Sequence, residues 1–124
     1  MNICIIIPVY NEAKEIGRIT DAIKQKGFDV VVVDDGSIDD SGILAEENGA
    51  IVIRNNIREG KGLSLQKGFQ YALNHDYIGV ITVDGDGQHE VDDIDSFMKM
   101  IKESPGSIIA GNRRQSYRPT IYHR

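Results

Sequence analysis

The sequence predicts an open, mostly parallel, Rossmann-like α/β sheet, and three observations carry that expectation. Ile3-Cys4-Ile5-Ile6-Ile7 and Val30-Val31-Val32-Val33 are unbroken apolar runs of strand length, rich in β-branched residues. Runs without alternation suit strands buried on both faces of a parallel sheet. Between them, residues 12–26 place Ile16, Ile19 and Ile23 at helical spacing, which makes a strand–helix–strand unit. The alternation then recurs to the end of the chain, as a right-handed α/β winding requires.

Residues 39–48 read as a helix opened by Asp39, and residues 50–53 as a short strand. Residues 62–75 read as a helix with Leu65, Phe69, Ala72 and Leu73 inward, followed by a fourth strand at 77–83. Residues 92–103 carry Ile94, Phe97, Met98 and Ile101 on one helical face, and Pro105-Gly106 closes that helix. A fifth strand is expected at 107–110. No repeat, linker or low-complexity segment interrupts the pattern.

A chain of 124 residues that is 40% hydrophobic supplies one core, placed here at residues 1–114, with 115–124 as a basic C-terminal tail. The net charge of −5 argues against a general nucleic-acid binder, whose footprint would be a basic stripe. All acidic residues lie at or before Glu103, and residues 104–124 hold four arginines and no carboxylate. Such a segment is either a solvated end or a contact for anionic lipid or phosphate, the latter implying peripheral membrane contact. Cys4 sits inside the first apolar run and reads as a buried structural thiol in a reducing compartment. The five apolar residues before Pro8 are too few for a signal or spanning segment, so a cytoplasmic protein is expected.

In open α/β sheets, ligands bind beyond the carboxyl ends of the strands. Five polar clusters fall at such ends: residues 8–12, 34–37, 54–61, 84–88 and 111–114. The sharpest is Asp84-Gly85-Asp86-Gly87-Gln88-His89, directly after the fourth strand. Two carboxylates at i and i+2 with glycines between them present hard oxygen ligands on a close-approaching backbone, as a divalent cation carrying a diphosphate requires. Asp34-Asp35-Gly36-Ser37 reads equally as a ligand cluster or as a turn with a helix cap. Pro8-Val9-Tyr10-Asn11-Glu12 has the same two readings: Asn11 as a cap, or the Tyr10 ring flanking a base with Asp34 or Glu12 accepting its hydrogen bonds.

Three other motifs fail on spacing. A phosphate loop ending at Gly60-Lys61 needs glycine at Asn55 and serine or threonine at Gly62, although Lys61 still suits a phosphate contact. A calcium loop from Asp84 needs glycine at His89 and glutamate at Asp95. A phosphoacceptor receiver domain places its acidic pair after the first strand and a lysine after the fifth; here the pair follows the second, and Ala110 leads into Gly111-Asn112-Arg113.

Taken jointly and in order, Pro8-Val9-Tyr10-Asn11-Glu12, Val33-Asp34-Asp35-Gly36-Ser37, Gly60-Lys61-Gly62 and Asp84-Gly85-Asp86-Gly87-Gln88-His89 resemble a family 2 glycosyltransferase of the GT-A fold. The resemblance covers residues 3–114. Within the family the chain is most similar to the polyprenyl-phosphate sugar synthases, such as dolichyl-phosphate mannose synthase. It implies that Pro8, Tyr10 and Glu12 wall the nucleotide pocket, with Val33 and Asp34 or Asp35 beside the base. It further implies that Asp84 and the adjoining Gly85 help hold ribose or sugar, and that Asp86 and Gln88 hold Mg²⁺ or Mn²⁺. Asp84 and Asp86 are thus the implied catalytic pair. Lys61 and Arg113 would meet the donor phosphates, while His89 fits a supporting place behind the ligands.

The implied partners are a UDP- or GDP-sugar and an acceptor that is a lipid phosphate or a saccharide, at the cytoplasmic membrane face. The family's acceptor half lies downstream of residues present here, so an exposed sheet edge and self-association are also expected. A non-catalytic nucleotide-binding fragment or regulatory module is the alternative. Sugar-phosphate nucleotidyltransfer, a third reading, wants a glycine-rich basic loop where Pro8-Val9-Tyr10-Asn11-Glu12 stands.

Overall fold

The computed structural model describes residues 3–85, 107–110 and 120–123. In chain order the elements are β1 (Ile3–Val9), α1 (Ile16–Gln25), β2 (Asp29–Asp35), α2 (Ser41–Glu47), β3 (Ile51–Asn55), α3 (Lys61–Asn74), β4 (Gly79–Thr82), β5 (Ser107–Ala110) and β6 (Thr120–His123). They form one sheet in the order β3-β2-β1-β4-β5-β6, parallel except for the β5–β6 pair. Because β2 and β3 step outward on one side of β1 and β4 lies on the other, the winding reverses between β1 and β4. That reversal is where such sheets bind ligands.

Both faces of β1 and β2 are covered, which explains why their sequences do not alternate. Ile3, Ile5, Ile7, Val9, Val30 and Val32 pack with Ile16, Ile19 and Ile23 of α1 and Ala45 of α2. Cys4, Ile6, Val31 and Val33 pack on the other face with Ala72 and the partly buried Leu65 and Phe69 of α3. Each fully buried isoleucine of α1 contributes about 1.5–3 kcal/mol of transfer free energy. Burial, aided by the negative charge of Asp29, pushes the Cys4 thiol up to about 12, so it stays protonated and inert.

The strands and helices expected within the described residues are present with shifted ends. The first helix begins at Ile16 and not at residue 12, because the N–H groups of Glu12 and Ala13 are bonded to the α2 side of the fold. The second begins at Ser41, where Asp39 Oδ1 accepts the Ser41 N–H (3.0 Å) without belonging to the helix. The β3 strand runs to Asn55, and the ladder of β4 ends with the Val83 N–H donating to Ile6 O (3.0 Å). The expected helix at 92–103 lies outside the described residues. Residues 120–123, read from the sequence as part of a basic tail, form β6.

The inward face of α3 also differs from the expectation. Leu73 is 47% exposed, whereas Ser64, Gly68 and Ala72 are buried at four-residue spacing. This small-residue row lets α3 lie close to the sheet: a Cβ added at Gly68 would stand 2.5 Å from Ile6 Cγ2. Gly68→Ala should therefore overpack this interface and lower unfolding free energy by about 1–3 kcal/mol, read from the midpoint of urea denaturation.

Candidate functional site

The parallel register sets the site. Val9 pairs with Asp34 and Asp34 with Arg54, while Asp35 pairs with Asn55, so the polar residues form rows at the carboxyl ends of β1, β2 and β3. Alternation sends the adjacent aspartates to opposite faces of the sheet. On the α2 side, the fully buried Asp34 carboxylate accepts the Ser37 N–H (3.0 Å) and ion-pairs with the Arg54 guanidinium. Arg54 Nη2 also donates to the Ser37 carbonyl at 2.9 Å.

On the α3 side, Asp35 gathers the loop between β3 and α3. Its Oδ1 accepts Asn55 Nδ2 (2.9 Å) and the Glu59 N–H (2.7 Å), and its Oδ2 accepts the Gly60 N–H (2.9 Å). Burial by itself raises the Asp35 carboxyl. These bonds, with the charge of Arg58, outweigh that and hold it below the usual carboxylate range. Gly36, at φ +74°, is needed where the β2 loop crosses this segment, since a Cβ there would meet Arg58 N at 2.8 Å.

The loop after β1 is tied to the loop after β2. The Asn11 N–H donates to Ser37 Oγ (2.9 Å), and Asn11 Oδ1 accepts the Ile38 N–H (2.9 Å). Asn11, at φ +53°, thus bridges two loops and does not cap α1, whose N-terminus has no side-chain cap. The Glu12 N–H donates to Ser41 Oγ (2.8 Å) and the Ala13 N–H to Asp39 Oδ2 (3.2 Å). Burial raises the Asp39 carboxyl, but bonds from the Ser41 hydroxyl and N–H and from the Ala13 N–H hold it below its ordinary value. Above these ties the Tyr10 ring lies under the Arg58 guanidinium, 4.0 Å from carbon to centroid, a cation–π contact.

At the reversal point, the turn after β4 lies against the end of β1. A Cβ on Gly85 would stand 2.6 Å from Val9 Cγ1 and 3.4 Å from the Pro8 carbonyl. Only glycine permits this approach, which places Asp84 at the mouth of the crevice. Lys61, the first residue of α3, reaches across and ion-pairs with it at 2.6 Å.

Of the residues singled out from sequence, Pro8, Tyr10, Glu12, Lys61, Asp84 and Gly85 thus converge on one end of the sheet. Asp34 and Asp35 lie beside them, but their carboxylates are engaged within the scaffold, and Val33 is buried in the α3-side core. Asp86, Gln88 and Arg113 lie outside the described residues. The sequence reading placed Arg54, Asn55 and Arg58 in the polar cluster at 54–61 without singling them out, and the structure uses them to fasten these loops. Only the register places Arg54 and Asn55 beside the two aspartates, although their position at a strand end was a signal. A cavity of about 640 Å³ opens on the α2 side over the Asp34–Arg54 pair, bounded by Ile43 and Val52 and clear of the reversal point.

Among the described residues no three acidic, histidine or cysteine side chains meet. The Asp84 carboxylate, a hard oxygen donor of the kind a divalent cation takes, is held there by Lys61.

The doubly wound sheet, with loops from β1, β2 and β3 gathered beside the reversal point, is an α/β fold of the GT-A type. Residues 4–122 match the model of glycosyl transferase family 2, and the chain belongs to that family. It is 33% identical to glycosyltransferase AglJ of Haloferax volcanii, over 94% of this chain and 38% of that protein. It is 29% identical to the undecaprenyl-phosphate mannosyltransferase of Micrococcus luteus, over 92% of this chain and 49% of that protein. Glucosyl-3-phosphoglycerate synthase from Mycobacterium tuberculosis, solved with Mn²⁺, UDP and glucosyl-3-phosphoglycerate, superposes with a TM-score of 0.59. That match is 26% identical and covers 68% of this chain and 33% of that one. The chain spans about half or less of the length of these relatives.

Asp35→Asn should cost about 1–3 kcal/mol at neutral pH, because one N–H donor loses its acceptor. The sign with pH follows from the depressed Asp35 carboxyl: its contribution is complete above the unfolded value of about 3.9 and is lost as pH falls through the folded value. Urea denaturation at pH 7 and pH 3 should show the difference between wild type and variant shrinking in acid.

Proposed function

We propose that this chain is the donor-binding part of an inverting glycosyltransferase that takes a sugar from UDP or GDP to a polyprenyl phosphate at the cytoplasmic membrane face. The observation that carries this reading is the Lys61–Asp84 pair at the reversal point, with Pro8, Tyr10 and Glu12 on the adjoining loop. A cation is placed there for phosphate, a carboxylate for hydroxyls or metal, and an aromatic ring for a base. The names of the lipid-phosphate relatives and the UDP and Mn²⁺ of the solved relative support the substrate classes.

In this reading Asp84 accepts hydrogen bonds from ribose or sugar hydroxyls, and Lys61 and Arg113 meet the diphosphate. Asp86 and Gln88 would hold Mg²⁺ or Mn²⁺, which when bound supplies Lewis-acid neutralisation of the leaving diphosphate. The displacement is a single in-line attack at the anomeric carbon. A phosphate acceptor is already a nucleophile and needs no general base. Among the described residues no helix is long and apolar enough to cross a membrane.

Calorimetric titration of the chain with UDP and with GDP, with and without Mn²⁺, tests the reading. Binding should require Mn²⁺, favour one base, and fall at least tenfold in Asp86→Ala. Metal-independent binding that Asp86→Ala leaves intact would refute the metal assignment. Nucleotide binding without sugar transfer to a polyprenyl phosphate would favour the non-catalytic alternative.

A further inference from the structure

Among the described residues the three most exposed large apolar side chains are Ile38 at 90%, Ile57 at 74% and Ile43 at 60%. Ile38 lies on the loop after β2, Ile57 on the loop after β3 and Ile43 in the first turn of α2, so all three stand at the carboxyl end of the sheet. They share one rim. Ile38 and Ile43 border the α2-side cavity together with Asn56, and the backbone of Ile57 crosses the β2 loop, 2.9 Å from where a Cβ on Gly36 would stand. The backbone that presents them is fastened: the Ile38 N–H is bonded to Asn11 Oδ1, and Asp35 holds the Glu59 and Gly60 N–H groups just past Ile57. Single exposed isoleucines are ordinary, but three held out from one fixed rim beside a ligand crevice mark a contact surface.

The charges around the rim select what meets it. The Asp34, Glu59 and Asp84 carboxylates at this end are paired with Arg54, Lys67 and Lys61, and Asp39 accepts the Ser41 and Ala13 N–H groups. Asp40 and Glu46 are the exposed acids beside the isoleucines, and Arg58 adds an exposed guanidinium over Tyr10. The Arg54 and Lys61 side chains, 52% and 62% exposed, also carry their cationic heads into solvent. Short apolar side chains with cations on long stems between them suit a phospholipid surface, where isoleucine enters to the boundary of headgroup and acyl chain and the cation stays with the headgroup phosphates. We propose that Ile38, Ile43 and Ile57 seat this end of the sheet on an anionic bilayer. The inference rests on the lipid-phosphate acceptor of the reading above. Such an acceptor keeps its phosphate at headgroup level, so the crevice between β1 and β4 must come down to the surface, and the isoleucine rim beside it sets that depth.

The chain contains no tryptophan, so one introduced at a time reports its own surroundings. Ile38→Trp and Ile57→Trp are compared with Leu73→Trp, an exposed position near the other end of α3, on vesicles of phosphatidylcholine and phosphatidylglycerol in equal parts. Emission at positions 38 and 57 should shift to the blue and be quenched by brominated acyl chains, while emission at position 73 stays unshifted. In vesicle sedimentation, Ile38→Ser combined with Ile57→Ser should lower partitioning at least tenfold, with thermal unfolding and calorimetric binding of UDP and GDP as in the wild type. Equal quenching at position 73, or unchanged partitioning of the double variant, would overturn the proposal and place the contact elsewhere, such as on the arginines of residues 104–124. A wild-type chain that ignores the vesicles would overturn it too, and nucleotide binding with Mn²⁺ would then leave the donor site standing. Quenching at the rim without nucleotide binding would overturn the donor-site reading instead.

Discussion

The Asp35 carboxylate is the contact on which the arrangement of the site depends. It takes hydrogen bonds from Asn55, Glu59 and Gly60, and so joins the end of β2 to the end of β3 and the start of α3. Each bond to a charged acceptor is worth about 1.5–3 kcal/mol net, more than the surface ion pairs around it. Without this anchor neither Arg58 over Tyr10 nor Lys61 beside Asp84 would have a defined origin. The loop it organises supplies the N–H groups that, with Asn55 and the charge of Arg58, keep it ionised despite burial.

Asp34 and Asp35 illustrate how a parallel sheet divides labour between neighbours in sequence. The pleat turns one toward α2 and the other toward α3, so a single Asp-Asp dipeptide fastens loops on both faces. Asp34 is matched by Arg54 on the adjoining strand, and through Ser37 it fixes the loop whose hydroxyl holds Asn11. The loops after β1, β2 and β3 therefore form one hydrogen-bonded layer. Such prior ordering lowers the entropy that a flexible ligand-binding surface would lose on binding.

At the reversal point the described residues place a lysine, a carboxylate and the close backbone approach of Gly85 side by side. Cys4, the single thiol, is buried and kept protonated far from the carboxyl ends of the strands, so it takes no part. The chain matches the family model over nearly its whole length while spanning about half or less of the relatives compared with it.

The first five strands, the first three helices and the polar clusters at the strand ends were legible in the sequence because they rest on local patterns, whereas β6 at residues 120–123 was not. Valine and isoleucine runs cannot be satisfied except between two covering layers, and Asp84-Gly85 after an apolar run could only emerge at a strand end. Helix starts were less legible, since Glu12 and Ala13 give their N–H groups to Ser41 and Asp39, residues distant in sequence. The close approach of α3 was hidden for a similar reason: Gly68 is chosen by Ile6 across the interface and not by its own helix. The sequence by itself determined which residues are buried strands and which polar clusters stand at their ends. Tertiary structure alone decided that Asp34 and Asp35 serve the scaffold, that Arg54, Asn55 and Arg58 complete it, and that Lys61 meets Asp84, because register and loop crossing are long-range properties.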